Sequence, residues 1–233
     1  MKLEYVFCGG MIRSGSTLQY NIVSELLERV CGGRRTTWVD ASDHAEFFRH
    51  DRVEPTSFKA HQLVPEIRLQ LATNRSRGVS CFRDIRDVIA SSLIKFRLVN
   101  EQASILRHAR QAIDDFAAWE ACPGVLVSRY EDMVADVRAE VARIAGHLQL
   151  QCADELLETI ARRCEGLEAG LGPSVTSGAY TFDPHTLLHT DHFNGGTIGR
   201  YRSELDPRVV DALEAEFGTW LAGHGYAFGE GGA

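Results

Sequence analysis

An apolar run, LEYVFC (3–8), enters the glycine-rich stretch GGMIRSGST. It passes directly into STLQYNIVSELLERV (16–30), where Leu18, Ile22, Leu26 and Leu27 recur at helical spacing. Strand, glycine turn and helix in this order constrain the fold more than any other feature of the chain. The free N–H groups and positive dipole end at such a helix start favour an anion. Gly10 to Thr17 nearly fits the template G-x-x-x-x-G-K-[ST], but Ser16 stands at the lysine position and a cation comes three residues earlier, as Arg13. A nucleoside-triphosphate enzyme needs that lysine on the β and γ phosphates and a metal on the hydroxyl. This loop is suited instead to gripping a phosphate without metal-dependent γ-phosphoryl chemistry. An ordinary Gly-Ser turn capping a helix would use the same residues, so the loop alone does not decide between the two.

Downstream, short apolar runs alternate with helical patterns. TSFKAH (56–61), GVSCFR (78–83) and GVLVSRY (124–130) read as strands; 64–72, a stretch from about Asp84, 101–120, 131–148, 153–165 and 207–222 read as helices. This alternation predicts an α/β fold: a parallel sheet flanked by helices, three layers deep, with residues 1–233 as one domain. Segment 166–200 has little periodicity and reads as a loop, with a lid over a ligand as its expected role. The six cysteines are scattered and none forms a Cys-x-x-Cys pair, which predicts reduced thiols and a cytoplasmic location. No apolar run has membrane-spanning length, and the first residues do not read as a secretory signal. The net charge of −7 argues against nucleic acid as a partner, so an anionic ligand needs a local positive site. Of the 25 basic residues 22 are Arg, which makes Lys59, at an interior-looking position, stand out.

Arg83 sits where the GVSCFR strand ends, at the sheet edge where open α/β folds bind ligands. Ser91 lies eight residues on, about two helical turns. The two can meet on one phosphate if the helix start folds back past the strand end. The competing reading pairs Arg83 with Asp84 or Asp87. Arg86 reads as a solvated helix residue.

Taken together, these segments resemble the cytosolic-type sulfotransferases that use 3′-phosphoadenosine 5′-phosphosulfate. Ile12-Arg13-Ser14-Gly15-Ser16-Thr17 resembles the loop for the donor's 5′-phosphosulfate, and Phe58-Lys59-Ala60-His61 the family's Lys-x-His. The run from Arg83 to Ser92 resembles its 3′-phosphate motif, Arg129 to Met133 its Tyr-Glu-Asp segment, and Gly195 to Leu205 its closing Gly-x-x-Gly segment. The matches span residues 12 to 205 in family order. Leu18 stands where the family commonly has an aromatic residue stacked on adenine. Asn194 and Gly195 stand where it often has Arg and Lys, and Tyr201 where it has Trp.

The resemblance implies a nucleotide site of Arg13, Ser14, Gly15, Ser16, Thr17, Leu18, Arg83, Ser91, Tyr130, Gly195, Gly196, Thr197 and Arg200, with His192 a further candidate for the 3′-phosphate. It implies transfer of a sulfuryl group to a hydroxyl of a small-molecule or glycan acceptor, with no metal. His61 is then the general base, since imidazole titrates near neutrality. Lys59, two residues before it and on the same strand face, would stabilise the bridging oxygen, with Arg13 doing likewise from the loop. Glu131 and Asp132 read as first-turn residues of a helix, and Phe47-Phe48 as core. His185, His189, His192 and Asp191 fit no standard metal template. Two other functions use the same residues: a kinase with a degenerate loop, which the missing lysine disfavours, and an inactive nucleotide-binding module, which Lys59 and His61 disfavour.

Overall fold

Both faces of the first strand, β1 (Tyr5–Gly10), are buried, as a central strand of a parallel sheet requires. In the computed structural model the described residues are 3–36, 44–48, 53–96, 101–167, 175–177, 180–189 and 196–228. After β1 come α1 (Ser16–Cys31), β2 (Arg34–Arg35), α2 (His44–Phe47), β3 (Thr56–Lys59), α3 (Pro65–Leu71), β4 (Ser76–Phe82), α4 (Ile85–Phe96), α5 (Gln102–Glu120) and β5 (Val125–Arg129). Then follow α6 (Tyr130–Ala135), α7 (Val137–His147), α8 (Asp154–Glu165), β6 (Val175–Ser177), β7 (Tyr180–Phe182), α9 (Tyr201–Glu204) and α10 (Pro207–Gly223). The main sheet has the order β2-β3-β1-β4-β5, every neighbouring pair parallel.

Side-chain alternation along β1 divides the core. Val6 and Cys8 pack with α1, α7 and α8, while Tyr5 and Phe7 point to the opposite face with Phe58, Ile67 and Trp119. A third cluster joins Met11 to α4, α5 and α10. The three layers expected from the alternating pattern are therefore present. Gly32 ends α1 in the left-handed conformation at φ 63°, its neighbour's N–H closing on the last turn. Phe47 and Phe48 pack on Tyr5, Phe7 and Phe58, as core residues do.

Two stretches differ from expectation. Residues 131–148 form two helices rather than one, because Asp136 leaves helical geometry and its carboxylate caps α7 through the Ala139 N–H at 2.8 Å. Part of 166–200 is ordered as the β6–β7 hairpin, and Phe182 bridges to His189. Residues 168–174, 178–179 and 190–195 of that stretch, including Asp191, His192, Asn194 and Gly195, lie outside the described residues. Among the described residues, no helix is long and apolar enough to cross a membrane.

Candidate functional site

The chain runs from β1 outward to β2 and β3, then returns across β1 to β4. The carboxyl ends of β3, β1 and β4 therefore sit side by side at the point where the winding reverses, where open sheets hold ligands. Three sequence segments meet there: the Arg13 loop after β1, Lys59 to His61 after β3, and Arg83 after β4.

The loop after β1 is tightly built. Gly10 (φ 107°) and Gly15 (φ 87°) have conformations that L side chains rarely adopt. A Cβ on Gly10 would lie 2.3 Å from the Cys81 carbonyl oxygen, and one on Gly15 would lie 2.6 Å from the Tyr130 ring. Arg13 itself is left-handed at φ 61°, a strained state for a residue with a side chain, of the sort that collects at ligand clamps. The Ser14 hydroxyl turns inward, donating to the carbonyls of Met11 (2.5 Å) and Cys81 (3.1 Å). The Ser14 side chain thus fixes the loop. Ser16 is also buried. The Thr17 hydroxyl accepts from the Lys59 ammonium, so Lys59 meets the loop from below.

A cavity of about 380 Å³ opens above this loop. Its polar lining is Arg13, Thr17, Arg83, Ser91, Tyr130, Arg200 and one acid, Glu165, with Gly15 and Gly196 contributing backbone; Leu18, Val134, Val137, Leu167 and Leu188 supply an apolar surface. Arg13 Nε donates to Ser91 Oγ at 2.9 Å, joining the loop to the second motif. The Arg83 guanidinium lies 4.3 Å over the Tyr130 ring and donates to the Thr197 carbonyl (2.7 Å) and Asp87 (3.2 Å). Tyr130 donates to the Gly196 carbonyl at 2.9 Å. Arg200 is buried and paired with Glu204.

The competing readings of Arg83 both hold in part: it pairs with Asp87 and it faces the cavity. Arg86 is a correction. It is buried rather than solvated, held by Asp84 (2.7 Å), Glu214 (2.5 Å) and the Ala227 carbonyl, and it lies over the Tyr201 ring. Glu131 and Asp132 do lie in the first turn of α6, as expected, and the Glu131 carboxylate also accepts from the Asp84 N–H (3.2 Å) and the Tyr226 hydroxyl (2.9 Å).

His61 stands on the β3 side. Its Nδ1 is 3.4 Å from the Gly10 carbonyl oxygen, and its own carbonyl accepts from Trp119 Nε1 at 2.7 Å. Gly9 makes this possible, because a Cβ there would lie 2.2 Å from the Trp119 indole. Sequence reasoning missed Gly9 and Trp119; a tryptophan in an amphipathic helix signals core and says nothing of which backbone it holds.

Positive charge predominates around the loop, against Glu165 in the cavity lining and the Asp87 and Glu204 partners of Arg83 and Arg200. Burial, then Arg83 and Arg200, lowers Arg13 to about 10. Burial lowers Lys59 to about 8, with Arg13 adding to the effect. Burial, then Lys59 and Arg13, lowers His61 to about 4. His189 is likewise lowered to about 4 by burial, then by Lys95, Lys59 and Arg13. A chain of net charge −7 thus concentrates mutually repelling cations at one edge, an arrangement that an anion relieves. Among the described residues, Arg83 Nε is buried without a hydrogen-bond partner, so a donor of the right charge is available for a bound phosphate. The Arg13 loop, the cation set and this donor fit a nucleotide carrying more than one phosphate. Elsewhere, Glu25, Glu28 and His185 come close together, but Arg35 pairs with both carboxylates and donates to the His185 carbonyl.

A family model described as the sulfotransferase domain matches residues 6–225. No curated protein sequence matches the chain. Solved structures match at low identity. A mouse sulfotransferase, SULT7A1, complexed with PAP, is similar at 15% identity and a TM-score of 0.71, over 94% of this chain and 85% of that one. Retinol dehydratase in complex with androsterone and the inactive cofactor PAP is similar at 16% identity and a TM-score of 0.63, over 98% and 83%. At such identities the likeness is one of fold.

Proposed function

The chain belongs to the sulfotransferase family, and from that premise we propose that it transfers the sulfuryl group of 3′-phosphoadenosine 5′-phosphosulfate to a hydroxyl of a small-molecule or glycan acceptor, with His61 as general base. The observation that carries this reading is that Arg13 and Arg83, with its buried, unpartnered Nε, line one cavity at the switch point of the sheet, while Lys59 and His61 bond to the same loop at Thr17 and Gly10. The mouse sulfotransferase and retinol dehydratase structures contain PAP, and retinol dehydratase was also solved with androsterone or retinol, which supports a bisphosphate site and a small-molecule acceptor. All 233 residues then act as one domain, and six free cysteines suit the reducing cytoplasm.

Bound, the donor supplies a sulfuryl group already activated by its phosphate leaving group. The chain's part is position and charge. Arg83, Ser91 and Arg200, with backbone near Gly196 and Thr197, hold the 3′-phosphate. The N–H groups at the start of α1, from Gly15 to Thr17, hold the 5′ side. Arg13 in the cavity, and Lys59 through its bond to Thr17, would supply positive charge for the leaving phosphate oxygen as its bond to sulfur breaks and the acceptor oxygen bonds to sulfur. With Nδ1–H donating to Gly10, the His61 lone pair is on Nε2, and neutral His61 takes the acceptor's hydroxyl proton. Leu18, Val134, Val137 and Leu188 offer adenine an aliphatic surface in place of an aromatic one.

Calorimetry tests the donor. Adenosine 3′,5′-bisphosphate should bind at micromolar Kd without Mg²⁺, and ATP should not match it. A preference for Mg-ATP would overturn the reading in favour of a kinase.

A further inference from the structure

Asp87 is wholly buried, and a carboxylate in such a place must be paired and hydrogen-bonded. Its partners come from two distant parts of the chain. Oδ2 accepts from Arg83 Nη2 at 3.2 Å and from the Gly199 N–H at 2.8 Å; Oδ1 accepts from the Tyr201 N–H at 3.0 Å. The same Arg83 Nη2 donates to the Thr197 carbonyl. Asp87, Arg83 and the backbone of 197–201 thus form a closed ring of bonds. Arg200 lies between the two N–H groups that Asp87 holds, and both Arg83 and Arg200 line the cavity.

We propose that Asp87 is a positioning residue for 3′-phosphate recognition: it fastens segment 197–201 to α4 and so aims Arg83 and Arg200 at the same part of the cavity. The proposal rests on the nucleotide reading above. An acid beside a phosphate-binding arginine would repel the phosphate if its oxygens faced the ligand. Here three donors occupy them, so the carboxylate acts as an anchor. Asn at this position keeps one acceptor but sets an amide N–H₂ against N–H donors and removes the charge that holds Arg83.

The test compares adenosine 3′,5′-bisphosphate with adenosine 5′-monophosphate, which lacks the 3′-phosphate, by calorimetry on the full chain. Asp87→Asn should weaken the bisphosphate by about 10- to 100-fold, the worth of hydrogen bonds to a charged group, and leave the monophosphate unchanged. Gly199→Ala is the second variant. It strains a half-exposed residue at φ 76°, disturbs the same N–H without touching the core, and should produce the same selective loss even if Asp87→Asn folds poorly. A merely structural role would weaken both ligands alike, and that result overturns the proposal. So does a wild-type preference for the bisphosphate that survives both substitutions. If the wild-type protein shows no such preference, the nucleotide reading falls first and the proposal with it.

Discussion

His61 is fixed at two points: its carbonyl by Trp119 and its Nδ1 by the Gly10 carbonyl. Removing its imidazole should therefore disturb the reaction more than the fold. His61→Ala is expected to lower transfer by about 10²- to 10⁴-fold, the usual range for a general base, while leaving bisphosphate affinity largely intact. Near-normal turnover would sink the assignment. The pH profile follows from the two shifted groups. His61, lowered to about 4 by burial and by Lys59, is already neutral and basic above that pH; it loses base function only as pH falls through about 4. Lys59, lowered to about 8, loses its positive charge as pH rises through that value. The kcat/KM profile, which reports the free enzyme, should form a bell with limbs near 4 and 8, without the limb near 6.5 of an ordinary histidine. In Lys59→Arg the basic limb should disappear, because guanidinium stays protonated.

At the scale of elements, the turn between β1 and α1 carries the site because two glycines there permit what other residues do not. Gly15→Ala combines a left-handed backbone, about 1–2 kcal/mol, with overpacking against Tyr130 and Met133, about 1–3 kcal/mol. Thermal melting should show the loss of stability, and nucleotide affinity should fall with it. Gly32, also left-handed but with nothing near its Cβ position, makes the comparison: Gly32→Ala should lose only about 1–2 kcal/mol and leave affinity alone. The β1–α1 unit was readable in the sequence because its signals are local: an apolar run, a glycine turn and a 3.6-residue period. The break at Asp136 was not, because helical periodicity continues across it and only the cap geometry reveals it.

Across the whole molecule, Arg86 ties α4 to α10 and to the chain beyond it through Asp84, Glu214, the Ala227 carbonyl and the Tyr201 ring. A buried ion pair broken from one side leaves uncompensated charge. Arg86→Ala should thus destabilise the fold by about 3–5 kcal/mol, seen in urea as a lower midpoint at unchanged slope. The sequence suggested the opposite for this residue. Its immediate context is that of any charged helix residue, and apart from Asp84 its hydrogen-bond partners, Glu214 and the Ala227 carbonyl, lie 128 and 141 residues away.

The glycine loop after β1, the alternation of strands and helices, and the Arg83, Lys59 and His61 candidates were legible in the sequence, since each depends on residue type at short spacing. Their order also carried the family resemblance. Only the tertiary structure decided which of them meet. Strand order brings β3, β1 and β4 together at one edge, Gly9 admits the tryptophan that holds His61, and Asp87 joins Arg83 to a segment more than 100 residues on. Those relations rest on long-range packing, where a single buried contact chooses among partners that the local chain leaves equivalent.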